Sequence, residues 1–336
     1  MSSNKRVLTG ITTSGIPHIG NLAGAILPAI SESKKENTSS FLFLADYHSL
    51  IKSLDPELTH NSSFEIAACW LACGLDPKKV TFYRQSDVPH ILELAWILSC
   101  LTAKGLLNRA HAYKAAVSIN EENNSQDLDK GITMGLFNYP ILMAADILMF
   151  NADEVPVGQD QKQHLEMTRD IANRFNHHYG EVFTIPEAVI SDDTGILPGI
   201  DGQKMSKSYN NTIPAFIDTN KLKKLVNKIK TNSLEPGEPK DTEDCTIFTL
   251  YKAFATPEQI VDFEQAYKNG ISWGEAKTQL LNLLEEFIQP YRNEYQEICK
   301  DRNFVEKTLR EGAEKAIEVS TPILEEVRKR VGIKSF

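Results

Sequence analysis

Lys204-Met205-Ser206-Lys207-Ser208 sets two ammonium groups three positions apart on a short run with small hydroxyl residues. On a mobile loop such charges meet the negative charge that develops on a departing phosphate chain. They accelerate a reaction when they hold the transition state better than the ground state. A solvated lysine loop has the same composition, so the pattern needs a partner elsewhere. Thr12-Thr13-Ser14-Gly15-Ile16-Pro17-His18-Ile19-Gly20-Asn21 is a candidate. A strand-like run enters it and a helical pattern leaves it. Backbone N–H groups at that junction, with hydroxyl side chains beside them, suit a phosphate. Gly20 leaves room for a ligand to approach closely. Taken alone, the segment is also compatible with an ordinary β–α turn.

Two further constellations lie between these. Gly158-Gln159-Asp160-Gln161-Lys162-Gln163-His164 stands where a strand gives way to a helix, and Asp160, Gln161 and His164 converge near the helix start. Met167, Ile171 and Phe175, spaced by four, face the core. In Tyr139-Pro140-Ile141-Leu142-Met143-Ala144-Ala145-Asp146, spacings of four and three put Tyr139, Met143 and Asp146 on one helical face. Asp146 in that apolar setting calls for a buried donor, and Met143 is a polarizable wall for a ring. A surface carboxylate and a satisfied polar helix start are the plainer alternatives.

The elements that carry these residues alternate. Strand patterns over Arg6–Thr9, Phe41–Ala45, Val80–Tyr83 and Val155–Val157 are separated by helical patterns from Asn21, over Ser62–Cys73, Ile91–Leu107 and Tyr139–Phe150, and from Asp160 to Phe175. Glu121–Asp129 reads as an exposed acidic loop. Alternating elements of this kind predict an α/β fold with a parallel sheet, which binds ligands at the carboxyl ends of its strands. Asp46, Tyr47 and His48 stand at one such end. After Lys221 the strand signals stop. An amphipathic helix at Lys221–Lys230 and a Pro- and acid-rich connector at Leu234–Asp244 precede further helices with turns near Gly270 and Pro290.

At 336 residues the chain exceeds the size at which one core usually stops growing, so two units are expected. Its 41% hydrophobic and 24% charged content exclude disorder and fibres. Neither a membrane-spanning run nor an export signal is expected, which leaves the cytoplasm. Five cysteines, with Cys69 and Cys73 unaccompanied by a second pair, read as buried thiols rather than a zinc site. The net charge of −9 argues against nucleic acid only weakly, because Lys204 to Lys230 hold seven lysines and one acid, Asp218.

His18-Ile19-Gly20-Asn21 resembles the "HIGH" signature of the class I aminoacyl-tRNA synthetases, with Asn21 in place of a second His and still able to donate to an oxygen of ATP. Lys204 to Ser208 resembles their "KMSKS" loop without a mismatch. The Gly158–Glu166 run is similar to a block shared by the tryptophanyl and tyrosyl enzymes. Its continuation, Arg169-Asp170-Ile171-Ala172-Asn173-Arg174-Phe175-Asn176, resembles the tryptophanyl branch. Tyrosyl enzymes usually carry Gln at the Met143 position. The resemblance extends along nearly the whole chain, including Leu309–Ala316 near the end, and is weakest at Leu234–Cys245.

That resemblance implies a Rossmann-like catalytic domain over residues 1–203, a mobile loop and linker over 204–220, and a helical domain over 221–336. The helical domain would read the tRNA anticodon, and its last helix would pack back on the first domain. The substrates would be L-tryptophan, ATP with Mg²⁺ and tRNA(Trp), with no metal held tightly by the protein, and the enzyme would be a homodimer. Lys204, Lys207, Ser206, His18 and Asn21 would be catalytic. ATP would be bound by Thr12, Thr13, Ser14, His18, Gly20 and Asn21, by Gly158, Gln159, Asp160 and Ile196, and by Lys204, Met205, Ser206, Lys207 and Ser208. Tryptophan would be bound by Asp146, Gln161, Met143, Tyr139, Leu8, Gly10 and His48, the indole N–H donating a hydrogen bond to Asp146. Asp46 would line that pocket or hold a water. Lys114 would reach the pyrophosphate or be a plain surface lysine. A tyrosyl enzyme, a small-molecule nucleotidyltransferase and a silent tryptophan-binding paralogue remain as alternatives.

Overall fold

The computed structural model describes residues 4–13, 15–190 and 197–333, and of Asp160 and Ser208 only the backbone. Ser14, Ile196 and the side chains of Asp160 and Ser208 therefore lie outside the described residues. Five strands, β1 (Lys5–Thr12), β2 (Thr38–Ala45), β3 (Thr81–Arg84), β4 (Glu154–Val157) and β5 (Glu187–Ile190), form a parallel sheet in the order β3-β2-β1-β4-β5. Phe41 to Ala45 are all buried, as a strand covered on both faces requires. The order reverses at β1, so the crevice opens between the carboxyl ends of β1 and β4. The His18 turn follows β1, and the Gly158–His164 block follows β4.

Helix Met134–Leu148 packs in the core behind that crevice with Pro140 inside it. The predicted helix Ile91–Leu107 is two, His90–Leu101 and Lys104–Leu107, because Thr102 and Ala103 are extended. Helix His111–Glu122 was not legible in the sequence, since it buries none of its residues, and it ends where the predicted acidic loop begins. β5 was missed too, because none of its four residues is buried. The helix expected at Asp160 begins as a 3₁₀ turn, Gln159–Gln161, and becomes α-helical from Lys162 to Tyr179.

Beyond the sheet, helices Thr219–Lys228, Thr246–Lys252, Pro257–Lys268 and Trp273–Lys300 share a core that includes Leu222, Val226, Phe263, Tyr267, Leu280 and Leu284. Gly270 does make a turn. Pro290 does not: it lies inside Trp273–Lys300. Its missing N–H costs the helix one bond. Buried Leu284, Ile288 and Arg292 hold both sides of it, and Arg292 clasps Glu285 at 2.6 and 3.0 Å.

The closing helix, Arg302–Val331, lies against β3. An added Cβ on Gly312 would sit 1.7 Å from the carbonyl oxygen of Phe82, so no other residue fits without movement of one backbone. Arg84 with Glu306, Lys315 with the carbonyl of Pro77, and Arg328 with Glu93 fasten the same face. Cys69 and Cys73 are buried free thiols. Among the described residues no helix is long and apolar enough to cross a membrane.

Candidate active site

The turn after β1 is held by its own residues. Asn21 Oδ1 accepts the His18 N–H at 3.0 Å, which leaves its NH₂ as the donor end. The space expected over Gly20 for a ligand is taken by the His18 ring: a Cβ there would sit 3.0 Å from Nδ1. Gly20 thus serves His18 first. Among the described residues His18 Nδ1 is buried without a protein partner, and burial, reinforced by the charge of Lys207, lowers the imidazole to a pKa of about 4. It is a neutral ring at neutral pH. Thr13, expected at the nucleotide, is turned inward and hydrogen-bonds Ser49 at 2.7 Å. Thr12 closes β1 half-buried.

The lysine loop is pinned to this turn. Ile19 N–H donates to the carbonyl of Ile213, and Ala215 N–H to that of Pro17, both at 2.9 Å. Met205 is buried, its N–H bonded to Leu197 O at 2.8 Å and its sulfur 3.7 Å from where a Gly20 Cβ would stand. Lys204 is exposed. Lys207 reaches back to the carbonyl of Gly15 at 2.7 Å, and desolvation of its ammonium lowers it to about 8 although the residue as a whole is exposed. The hub is Asn211, which sequence reasoning missed. It accepts from Ser206 N–H at 2.8 Å and donates to Asp201 at 2.8 Å and to Lys204 O at 3.0 Å. Gly199 makes room for it.

The second half of the site surrounds Asp146, which is 1% exposed. His48 Nε2 donates to Oδ2 at 2.9 Å and Gln85 Nε2 to Oδ1 at 2.7 Å. Burial pushes this carboxyl up, and the two donors oppose that shift. Gln85 was also missed. Its one signal is position: Gln85-Ser86-Asp87 follows β3 as Asp46-Tyr47-His48 follows β2. Asp46 itself accepts from Tyr47 and Ser86 N–H groups and ties those two turns together, each at 3.0 Å.

Tyr139 Oη lies 2.6 Å from His164 Nε2, and His164 Nδ1 lies 3.1 Å from Gln161 Oε1. An imidazole with its proton on Nδ1 satisfies both contacts. Met143 packs partly buried on the core that holds Leu8. Leu8 is itself a core residue, whereas Gly10 is exposed and gives room to the Phe43 ring, 2.4 Å from its absent Cβ. Gly158 follows β4 and its carbonyl accepts from Gln161 N–H; Gln159 is exposed. Lys114 is exposed and lines a separate cavity of about 420 Å³ with Tyr113, Glu121 and Asp129.

Residues 2–289 match the family described as tRNA synthetases class I (W and Y). The chain belongs to this family. The synthetase is 54% identical to a tryptophan–tRNA ligase of Neisseria meningitidis over 99% of both chains. It is 56% identical to that of Xanthomonas axonopodis over all of this chain and 78% of the relative. Its structure superposes on tryptophanyl-tRNA synthetase of Campylobacter jejuni, solved with ADP and tryptophan, with a TM-score of 0.87 at 40% identity, over 97% and 99% of the chains. A tyrosyl-tRNA synthetase of Archaeoglobus fulgidus, at 18% identity and a TM-score of 0.65 over 87% and 90% of the chains, shares the fold. The synthetase lies in the bacterial tryptophanyl branch, and joining tryptophan to tRNA is its function. The tyrosyl, nucleotidyltransferase and silent-paralogue alternatives fall away.

Proposed function

We propose that Asp146 accepts the indole N–H of tryptophan, with Tyr139, Met143 and His48 around the ring, and that the His18 turn and the lysine loop bind ATP between them. The observation that carries this reading is the buried Asp146 carboxylate, fixed by His48 and Gln85 on an otherwise apolar helix face. An indole N–H donates and does not accept. A dry carboxylate therefore suits it and is left short of a donor by phenylalanine.

The tryptophan carboxylate attacks the α-phosphorus in line. The bond from that phosphorus to the bridging oxygen breaks, and pyrophosphate leaves. The terminal ribose hydroxyl of tRNA then attacks the acyl carbon and AMP departs. Positioning and charge stabilisation supply the acceleration. Asn21 donates to a phosphate oxygen, neutral His18 offers its buried ring nitrogen, and Lys204 and Lys207 meet the charge growing on pyrophosphate. Gln161, held against His164, reaches tryptophan from the β4 side. Mg²⁺ enters with ATP on phosphate oxygens and water.

Helices from Thr219 onward bind the anticodon arm. Trp96, 71% exposed, and Leu92 one turn before it offer an apolar face to a second copy, giving a homodimer that works in the cytoplasm. The deciding experiment is ATP–pyrophosphate exchange by Asp146→Asn. The KM for tryptophan is expected to rise by roughly 10- to 100-fold, the worth of a hydrogen bond to a charged acceptor, with the KM for ATP little changed. An equal rise in both would remove Asp146 from substrate recognition.

A further inference from the structure

Gln85 lies in none of the motifs that the sequence singled out, yet it is wholly buried and its amide is committed at both ends. Oε1 accepts from Tyr47 N–H at 3.2 Å, and Nε2 donates to Asp146 Oδ1 at 2.7 Å. The first contact fixes the second. A flipped amide would set oxygen against the carboxylate and NH₂ against an N–H, so the Tyr47 backbone leaves one orientation. Tyr47 is itself placed by Asp46, which also accepts from Ser86 at the end of β3. The ends of β2 and β3 therefore hold the Gln85 donor against Asp146 in a rigid frame.

That donor has a chemical consequence. A carboxylate this deep prefers to take up a proton or to rotate toward another donor. Either change removes or misdirects the lone pair that an indole N–H needs. His48 holds Oδ2 and is partly exposed, whereas the wholly buried Gln85 holds Oδ1. We infer that Gln85 is a positioning residue for substrate selection: it keeps Asp146 an ionised acceptor aimed into the pocket, and so sets how strongly the enzyme prefers a ring bearing N–H. The inference rests on the reading of Asp146 as the indole acceptor.

The probe is a pair of substrates that differ at one atom, tryptophan and β-(3-benzothienyl)alanine, in which sulfur replaces the N–H. The readout is the ratio of their kcat/KM values in pyrophosphate exchange. The unaltered enzyme is expected to favour tryptophan by roughly 100-fold. In Gln85→Met, which keeps length and loses the donor, the ratio is expected to shrink to roughly tenfold or less, mostly through the KM for tryptophan. Structural damage alone would slow both substrates alike and leave the ratio intact, and that result would overturn the inference. Should Gln85→Met fail to fold, Gln85→Leu removes the same donor without adding a titratable group, and the same loss of preference is expected; a preserved ratio again overturns it. If the unaltered enzyme itself does not distinguish the pair, Asp146 is not the indole acceptor and the underlying reading falls. If it does distinguish them and both variants do too, only the role of Gln85 falls.

Discussion

Lys207 donates its ammonium to the main-chain carbonyl of Gly15, 2.7 Å away, across 192 residues of sequence. Gly15 adopts a positive φ of 98°, open to glycine and strained for other residues, and this points its carbonyl toward the loop. The contact joins the His18 turn to the lysine loop. A carbonyl is a modest partner for an ammonium, one that a triphosphate oxygen displaces readily.

Lys207→Met is therefore expected to slow adenylate formation by roughly 100-fold, the cost of one well-placed donor to a developing anion. The KM for tryptophan should stay within about twofold. Single-turnover formation of tryptophanyl-adenylate measures this directly, and an unchanged rate would take Lys207 out of the chemistry.

The same lysine sets a pH dependence. Its pKa is lowered to about 8 by desolvation, so the charged form prevails below that pH and is lost as pH rises through it. The kcat/KM for ATP, which reports the free enzyme, should fall above about pH 8. Lys207→Arg, charged throughout, should remove that limb. His18, lowered to about 4, stays neutral over the range and should add no limb between about pH 6 and 9. A flat profile in the unaltered enzyme would contradict the assignment.

Asn211 holds the loop by three hydrogen bonds and is 1% exposed. Asn211→Ala leaves Ser206 N–H and the carbonyl of Lys204 without this partner. The expected result is a kcat for activation reduced by roughly tenfold or more with a raised KM for ATP, while the KM for tryptophan is unmoved, because among the described residues the Asn211 side chain bonds to Asp201, Lys204 and Ser206 and not to the Asp146 pocket. Stopped-flow fluorescence on tryptophan binding separates the two: weaker tryptophan binding would place Asn211 in the pocket's support instead.

What the sequence made legible follows from where each function is encoded. His18 to Asn21, Lys204 to Ser208 and Asp146 announce themselves because their chemistry sits in contiguous residues or one helical face. Gln85 and Asn211 do not. An amide gains meaning only from what it faces, and Asp146 is 61 residues from Gln85 in the chain. The long buried run of β2 was plain, whereas β5 buries little and was invisible. Thr13 had the right type and place for a phosphate and turned inward to Ser49. Local sequence gives a hydroxyl but not its direction. Pro290 looked like a boundary because the helix's tertiary support, Ile288 and Arg292, cannot be weighed from propensity alone.

Gly312 tests whether the closing helix supports the site. Alanine in a helix is favoured over glycine by about 1 kcal/mol, so Gly312→Ala would stabilise the chain if the position were open. It is not open: the new Cβ would stand 1.7 Å from Phe82 O and 2.5 Å from its carbonyl carbon, and Phe82 is held in register with Leu42. Overpacking against backbone costs on the order of 3 kcal/mol, so the clash outweighs the propensity. Thermal melting should show a clearly lowered Tm. Gly274→Ala, where no neighbouring atom of the described residues lies within 4 Å of the added Cβ, should leave the Tm unchanged or slightly raised. Phe82 stands three residues before Gln85, so relief of the clash by shifting β3 also shifts the donor on Asp146. Gly312→Ala should then raise the KM for tryptophan while Gly274→Ala does not. A destabilised Gly312→Ala with normal tryptophan affinity would mean that the strand end holds its place without the helix behind it.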